Sequence, residues 1–272
     1  MNNILIIVIV VVIILFFFAL YLVENQSKKE IDKHTEEIVN KFKNNKRGLV
    51  VLILGQSNAA NYGAKVFSSH KNIYSFYNNR VSLAKDPMEG ASGNKGSIWI
   101  PFSENLIKSK EYDLILLVNI SEGGSTVFDW NHDGKYHKKL INTLNQLKVN
   151  NIPPNYILWQ QGEEDNLMET SLIDFKLRLN ELIDMLNNFL SDVPVVLSLT
   201  SYSPTAKTPI SVEIRNAQMS VVTENSNVFL GPDTDRYINE GHRYDGIHLS
   251  EKAMISLAQD WSNIIMELNK TN

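Results

Sequence analysis

The chain has 272 residues, of which 43% are apolar and 21% are charged, so it can bury a sizeable core and bulk disorder is excluded. Its formal net charge of -4 provides no positive field that would gather phosphates, which argues against nucleic acid as a partner. The sequence contains no cysteine, which excludes disulfides, thiolate nucleophiles and cysteine-type zinc sites.

An uncharged apolar run of 20 residues, from Ile4 to Val23, opens the chain. At about 1.5 Å per residue, it is long enough for the roughly 30 Å hydrocarbon layer of a bilayer. We interpret residues 1–23 as an uncleaved transmembrane anchor, because no Lys or Arg precedes the run and a signal peptide has only about 7–15 apolar residues. A cleaved signal peptide and a buried core helix are the alternatives, and both fit this run less well.

Residues 24–46 are polar and rich in Lys and Glu, with apolar residues such as Ile38 and Phe42 at roughly helical spacing. This pattern predicts a polar spacer helix. We expect one domain to follow it, over residues 47–272.

The rest of the chain alternates short apolar runs with longer amphipathic stretches, which predicts buried parallel strands joined by helices that pack on the sheet. The predicted strands are residues 48–54, 113–119, 156–159, 193–199 and 228–230, and the predicted helices are residues 136–149, 171–190, 211–225 and 250–268. Ligands bind at the carboxyl ends of the strands in such sheets, so functional residues are expected there.

The first predicted strand ends in Gly-Gln-Ser-Asn-Ala at residues 55–59, which places Ser57 in a tight strand-to-helix turn. A hydroxyl at this position, beside converging backbone N–H groups, is suited to nucleophilic attack. Taken alone, the segment is equally typical of a serine that caps a helix.

Two later strand ends carry groups that could stabilise an oxyanion. Gly123 and Gly124 can bring a backbone N–H to a ligand without an intervening side chain, although an ordinary turn also uses such glycines. The segment 161–165, Gln-Gly-Glu-Glu-Asp, offers a carboxamide donor at Gln161. An acidic solvated loop or helix start is the alternative there, and a divalent-metal site is disfavoured because adjacent carboxylates rarely point at one ion.

Near the carboxyl terminus, Asp245 and His248 lie three residues apart, just before an amphipathic stretch, and can share one face of a turn. An aspartate so placed can orient an imidazole and stabilise its protonated form. A surface pair or a helix cap is the alternative interpretation. His242 is the nearest competing base.

Together these segments resemble the SGNH-hydrolase superfamily and, within it, the sialate O-acetylesterase-like carbohydrate acetylesterases. The motifs occur in the family's order: Gly-Gln-Ser-Asn at 55–58, Gly-Gly at 123–124, Gln-Gly-Glu-x-Asp at 161–165, Arg-x-Ala-Gln at 215–218 and Asp-x-x-His at 245–248. The resemblance covers about residues 48–268. It implies a flavodoxin-like three-layer α/β/α sandwich with a five-stranded parallel sheet.

The resemblance also implies roles for individual residues. Ser57 would be the nucleophile, His248 the general base and Asp245 its orienting partner. The implied oxyanion hole consists of the N–H groups of Ser57 and of Gly123 or Gly124, with the side chain of Gln161. The residues expected to support the site are Gln56, Asn58, Glu163 and Asp165; neither a metal nor a cofactor is expected.

Several further side chains carry expectations of their own. Arg215 and Gln218 are expected to form a structural hydrogen-bond network. Gln160 and Glu164 depart from the family's pattern and bear on substrate preference. The loops 60–105 and 125–135, with Tyr62, Trp99 and Trp130, are expected to line the pocket, although aromatic residues in loops are as often simply packed.

The implied function is a serine esterase that removes O-acetyl groups from a carbohydrate, either sialic acid or a polysaccharide. The alternatives are an O-acetyltransferase that uses the same serine and a non-catalytic carbohydrate-binding protein on an esterase scaffold. Lysines follow the apolar run and none precedes it, which by the positive-inside rule favours a cytoplasmic domain. A glycan substrate favours the opposite side, and large domains are translocated despite such charges, so we expect a single-pass protein with a non-cytoplasmic domain.

Overall fold

The computed structural model describes residue 9 and residues 12–18, 33–69, 71–191 and 193–271. Within the predicted span 4–23, residues 12–18 are helical. In the described part of the chain, no helix is long and apolar enough to cross a membrane. The structure therefore does not show the predicted anchor, most of which lies outside the described residues.

A mixed seven-stranded sheet forms the centre of the molecule, with strand order β3-β2-β4-β1-β5-β6-β7. Its strands are β1 (Gly48–Gly55), β2 (Ile73–Tyr77), β3 (Arg80–Leu83), β4 (Leu114–Asn119), β5 (Tyr156–Gln160), β6 (Val195–Leu199) and β7 (Val228–Asp233). All are parallel to their neighbours except β3, which pairs antiparallel with β2. The five predicted strands are present, but the prediction of a purely parallel five-stranded sheet is wrong.

The two additional strands form a hairpin at one edge of the sheet. Asn78 and Asn79 connect them with φ values of 50° and 59°, which matches the primed turns that suit the twist of a hairpin. β2 mixes aromatic and polar residues, so it lacks the continuous apolar run by which the other strands were recognised. It joins the sheet by pairing with β4.

Helices cover both faces of the sheet and create two apolar cores. The helices are α1 (residues 33–44), α2 (Trp99–Lys108), α3 (His137–Val149), α4 (Glu163–Leu167), α5 (Leu172–Leu190), α6 (Val212–Glu224) and α7 (Glu251–Thr271). One core includes buried residues of α1, α3, α5 and α6, and the other includes those of α2 and α7. The predicted three layers are therefore observed.

Helix α1 packs against the domain. Ile38 and Val39 are 3% and 5% exposed and belong to one of the two cores. The buried Thr35 hydroxyl accepts a hydrogen bond from the Val81 N–H at 3.1 Å, which links α1 to β3. The part of the predicted spacer that the structure describes is therefore continuous with the domain predicted to begin at residue 47.

The order of the strands decides where a site can form. β1 lies in the middle of the sheet, between β4 and β5, and is parallel to both. The chain after β1 builds one side of the sheet, and the chain after β4 builds the other. Such a change of direction leaves a crevice at the carboxyl ends of the central strands.

Candidate active site

Ser57 lies directly beyond the carboxyl end of β1. The strand ends at Gly55, whose φ is 146° and whose place could not hold a Cβ, because that atom would lie 2.1 Å from the Gln160 carbonyl oxygen. The chain then turns sharply into a short 3-10 helix, Ser57–Ala59. Within the described part of the chain, the Ser57 N–H has no hydrogen-bond acceptor.

Asp245 and His248 form the hydrogen bond that their spacing predicts. Asp245 Oδ2 lies 2.7 Å from His248 Nδ1, and Asp245 Oδ1 accepts the backbone N–H groups of Ile247 and His248 at 3.0 and 2.7 Å. Partial burial raises the pKa of Asp245, but these hydrogen bonds outweigh it and hold that pKa well below its usual range. The carboxylate therefore stays ionised and orients the imidazole through Nδ1.

The rings of two tyrosines stack against the His248 ring. The Tyr62 ring stacks on it with centroids 5.1 Å apart, and the Tyr244 ring stacks at 6.3 Å. The Tyr244 hydroxyl also donates to the Tyr62 carbonyl at 3.2 Å. Tyr62 thus lies at the site as expected, whereas the other two predicted pocket aromatics, Trp99 and Trp130, are fully buried in the cores.

Asn58 connects the turn at residues 55–59 (the serine turn) to the loop that carries Asp245 and His248 (the histidine loop). Its Oδ1 accepts the Leu249 N–H at 3.3 Å, and its Nδ2 lies 3.4 Å from the Ile247 carbonyl oxygen. The carboxamide next to Ser57 therefore contacts the backbone on both sides of His248. Residues 191 positions apart are brought together by this one side chain.

The two glycines after β4 have different surroundings. The Gly123 N–H donates to the Ser92 hydroxyl at 2.7 Å, and the Tyr62 hydroxyl would lie 2.6 Å from a Cβ at Gly123. The Gly124 N–H finds no acceptor within the described residues, and its φ is 67°. The neighbouring Glu122 N–H bonds the Gly55 carbonyl at 2.9 Å, which brings this loop to the serine turn.

The Gln161 carboxamide points into the protein. Its Nε2 lies 2.5 Å from Asp165 Oδ2, 3.0 Å from the Ser125 carbonyl oxygen and 3.3 Å from Gln56 Oε1. Gln161 is fully buried. In this arrangement both of its N–H groups have protein acceptors, so the structure does not present the side chain as the predicted oxyanion donor.

The three consecutive carboxyl groups of α4 point in different directions. Glu163 accepts from Asn58 Nδ2 at 3.0 Å, Asp165 accepts from the Val127 N–H at 2.8 Å, and Glu164 is half-buried. Burial raises the pKa of all three, that of Glu163 to about 7. They do not converge on a common point where a cation could bind.

Helix α6 supplies the predicted structural network. Arg215 pairs with Asp233 and Asp235 at 2.8 and 2.9 Å. Gln218 is bonded to both the N–H and the carbonyl of Thr200, at 3.0 and 2.8 Å, and donates to the Gln161 carbonyl at 3.1 Å. These contacts confirm the expected hydrogen-bond network: Gln218 holds the ends of β5 and β6, and Arg215 holds the end of β7.

The side chains of two other residues singled out in the sequence have partners elsewhere in the protein. Gln160 is fully buried, and its Oε1 accepts from the Trp261 indole at 3.0 Å. The His242 ring packs edge-on against Tyr237, with centroids 5.7 Å apart. Among the described residues, no carboxylate pairs with His242 as Asp245 pairs with His248.

Two further residues contact the loops of the site, Arg243 and Ser92, and neither is indicated by the motifs above. Arg243 is part of the loop that carries His248, and it donates to the carbonyls of Ile247 and Tyr237 at 2.8 and 2.7 Å. Ser92 accepts the Gly123 N–H from a loop about 30 residues away in sequence. Proximity to the Asp-x-x-His motif could have indicated Arg243, but no pattern in the sequence marks Ser92.

The family match described next makes the protein a carboxylic ester hydrolase, and its α/β fold is that of solved esterases. A family model described as carbohydrate esterase, sialic acid-specific acetylesterase matches residues 47–267, so the chain belongs to that family. No curated protein sequence matches it.

Solved structures show the same fold at low sequence identity. The chain is similar to a protein from Arabidopsis thaliana, with a TM-score of 0.67 and 18% identity over 81% of this chain and 98% of the other. It is similar to NanS, with a TM-score of 0.64 and 14% identity over 83% and 98%. It is also similar to a family 3 carbohydrate esterase of Clostridium thermocellum, with a TM-score of 0.54 and 15% identity over 82% and 98%.

Proposed function

We propose that the protein removes O-acetyl groups from a carbohydrate through an acetyl-enzyme on Ser57. The observation that carries the proposal is the Asp245–His248 pair, which Asn58 connects to the serine turn. Asp245 bonds Nδ1 and so leaves Nε2 of His248 to accept the Ser57 proton. The family to which the chain belongs supports ester hydrolysis as the reaction.

The reaction has two steps. His248 takes the proton of the Ser57 hydroxyl as its oxygen attacks the acetyl carbonyl, and the imidazolium then gives that proton to the departing sugar oxygen as the ester C–O bond breaks. Water, deprotonated by His248, next attacks the acetyl carbonyl. The bond to the Ser57 oxygen breaks, the imidazolium returns the proton to that oxygen, and acetate leaves. Asp245 stabilises the imidazolium in both steps.

The oxyanion that forms in each step needs preorganised donors. The N–H groups of Ser57 and Gly124 support this role, because neither has an acceptor in the described part of the chain. Gly123 is less suited to donate to the oxyanion than Gly124, because its N–H already donates to the Ser92 hydroxyl. Gln161 then acts by holding the Ser125 carbonyl, and with it the glycine loop, in place.

An acidic sugar is the substrate class that the site's surroundings favour. Lys95 is exposed, and its ammonium donates to the Tyr244 hydroxyl at 2.6 Å, beside the His248 ring. Among the described residues no carboxylate pairs with Lys95. This cation suits a substrate carboxylate, so Lys95→Met should raise KM for an O-acetylated sialic acid more than KM for acetylated xylose.

The decisive test compares the protein with its Ser57→Ala variant. We expect the wild type to release acetate from acetylated sialic acid and from p-nitrophenyl acetate, and the variant to lose this activity. An organophosphonate should label the wild type at Ser57 and not label the variant. Equal hydrolysis by both proteins would contradict the proposal, and acetyl transfer to an added glycan in place of acetate release would indicate the transferase instead.

A further inference from the structure

Glu163 is a buried carboxyl group that the ester chemistry above does not use. It begins α4 and is 5% exposed. Oε1 accepts a hydrogen bond from Asn58 Nδ2 at 3.0 Å. Oε2 is buried and has no hydrogen-bond partner within the described residues. Burying a carboxyl group with half of its acceptors unused costs free energy, so its presence calls for a reason.

The partner of Glu163 is the side chain that holds the histidine loop. An amide that donates to a carboxylate has its orientation fixed, because the carboxylate accepts and cannot donate. With Nδ2 of Asn58 directed at Glu163, Oδ1 of Asn58 faces the Leu249 N–H. The backbone beside His248 is therefore fixed, through Asn58, by the carboxyl group at residue 163.

A half-buried cation within the loop that carries His248 contacts the same backbone. Arg243 donates to the Ile247 carbonyl oxygen at 2.8 Å, the atom that Asn58 Nδ2 also approaches. The charge of Arg243 acts on Glu163 favourably and that of Asp235 unfavourably. Desolvation is the largest effect and raises the pKa of Glu163, whereas the Asn58 hydrogen bond and the charge of Arg243 lower it. The resulting pKa is about 7.

We propose that Glu163 is a positioning residue for the ester-cleaving site, whose carboxylate orients the Asn58 carboxamide and thereby fixes His248 relative to Ser57. The inference rests on the proposed function, because it assigns Glu163 a role through His248. A protonated Glu163 can present a hydroxyl to Asn58 and loses its attraction to Arg243, so positioning is weakened as the pH falls through 7. The ionised enzyme is the well-positioned form.

The test measures kcat and KM of the full chain with p-nitrophenyl acetate. Glu163→Ala should lower kcat about 10- to 100-fold with little change in KM, since a displacement of about 1 Å at a reacting group can cost that much. Asn58→Ala should have a similar effect, and the double variant should be no worse than either, because both act through one contact. Glu104→Gln, which alters an exposed carboxyl of α2, is the control and should stay near the wild type.

The pH profile separates positioning from a merely structural role. As the pH falls through 7, the wild-type kcat/KM should decline more steeply than that of Glu163→Gln, because Glu163 takes up a proton. Glu163→Gln keeps an acceptor for Asn58 but does not titrate, so it should lack this additional decline, and its kcat at pH 8 should exceed that of Glu163→Ala. This comparison also decides the matter if the alanine variant does not fold.

Each outcome has a definite consequence. If activity depends on Ser57 but the wild type and Glu163→Gln have the same pH slope, the positioning role is overturned and the esterase proposal stands. If activity does not depend on Ser57, the proposed function itself fails. Additive losses in the Asn58 and Glu163 variants would show that Glu163 does not act through Asn58.

Discussion

At the level of single side chains, the candidate site depends on how each polar group is used. Asp245 accepts three hydrogen bonds and keeps its charge, whereas Glu163 accepts one and is buried. The pKa of the first carboxyl falls and that of the second rises to about 7. Two carboxyls of one site thus differ in charge at neutral pH because their surroundings differ.

Asp245→Asn tests the orienting role of the aspartate. The amide can present an N–H to Nδ1 of His248, which favours the wrong tautomer of the ring. We expect kcat to fall about 10³- to 10⁴-fold, as in serine hydrolases in general, while the melting temperature changes little because the carboxamide oxygen still accepts backbone N–H groups. A loss of less than tenfold would contradict the assigned role.

Glu163→Gln should also change how stability depends on pH. The folded-state pKa of Glu163, about 7, lies above its ordinary value of 4.5, so the folded protein binds this proton more tightly than the unfolded chain does. The tighter binding of this proton contributes at most about 3 kcal/mol to the free energy of unfolding. That contribution is complete below pH 4.5 and is lost as the pH rises to about 7.

Urea denaturation at pH 4.5 and at pH 7.5 measures this contribution. The free energy of unfolding of Glu163→Gln should rise relative to that of the wild type between the two values. A difference that does not change with pH would show that the Glu163 carboxyl is not perturbed by burial. The expected loss of stability in the ionised form is typical of functional groups held in unfavourable surroundings.

At the level of elements, the ends of the central strands are held together by side chains of α6. Gln218 bonds both backbone groups of Thr200, after β6, and the carbonyl of Gln161, after β5. Gly162 follows directly with a φ of 153° and a place for Cβ only 1.9 Å from the Thr200 carbonyl oxygen. The strand ends are therefore in close contact, and α6 determines where the 161–165 segment lies.

Gln218→Ala should destabilise the fold. It leaves a buried N–H and two carbonyl oxygens without their partner, so we expect the free energy of unfolding to fall by about 2–4 kcal/mol. Asn216→Ala, at an exposed position of the same helix, is the control and should change stability by less than about 0.5 kcal/mol. Equal melting curves for the two variants would show that the contacts of Gln218 contribute nothing.

The missed elements share a physical cause. Helix α2 contains Pro101, and a proline in a sequence usually indicates the end of a helix. Here the helix tolerates it, because Pro101 lies in the first turn. The β2–β3 hairpin is short, and β3 has one buried residue, Val81. Neither element carries an apolar period long enough to be recognised, and both are stabilised by what they pack against.

At the level of the whole molecule, α1 extends the domain beyond the limit that the sequence indicated. Its buried Ile38 and Val39 contribute to the core, and its Phe42 ring contacts that of Tyr74, with centroids 6.3 Å apart. A chain that begins at residue 47 lacks these contacts. The matched family segment, 47–267, is therefore smaller than the folded unit.

Removal of α1 should lower stability. A chain that starts at residue 47 should melt at a lower temperature than one that starts at residue 32, because the latter keeps α1. Ile38→Ala within the full chain should cost about 2–4 kcal/mol, whereas Asn40→Ala, exposed on the same helix, should cost little. Indistinguishable melting of the two truncated chains would show that α1 does not stabilise the domain.

The sequence by itself determined the α/β class, five of the seven strands and the Asp245–His248 hydrogen bond. These features are local. Each of the five strands is a recognisable apolar run, and Asp245 and His248 are close enough in sequence to bond within a single turn. Ser57 was predicted as nucleophile from a motif, and its place at the end of β1 follows from the glycine before it.

Only the tertiary structure decided which polar groups are paired. It left the Gly124 N–H free of an acceptor in the described residues while Ser92 bonds Gly123, turned the Gln161 amide inward, and joined Glu163 to the His248 loop through Asn58. Each of these choices is made between groups distant in sequence. Many donors and acceptors in the chain are chemically equivalent, so only the packing of helices and strands determines which of them meet.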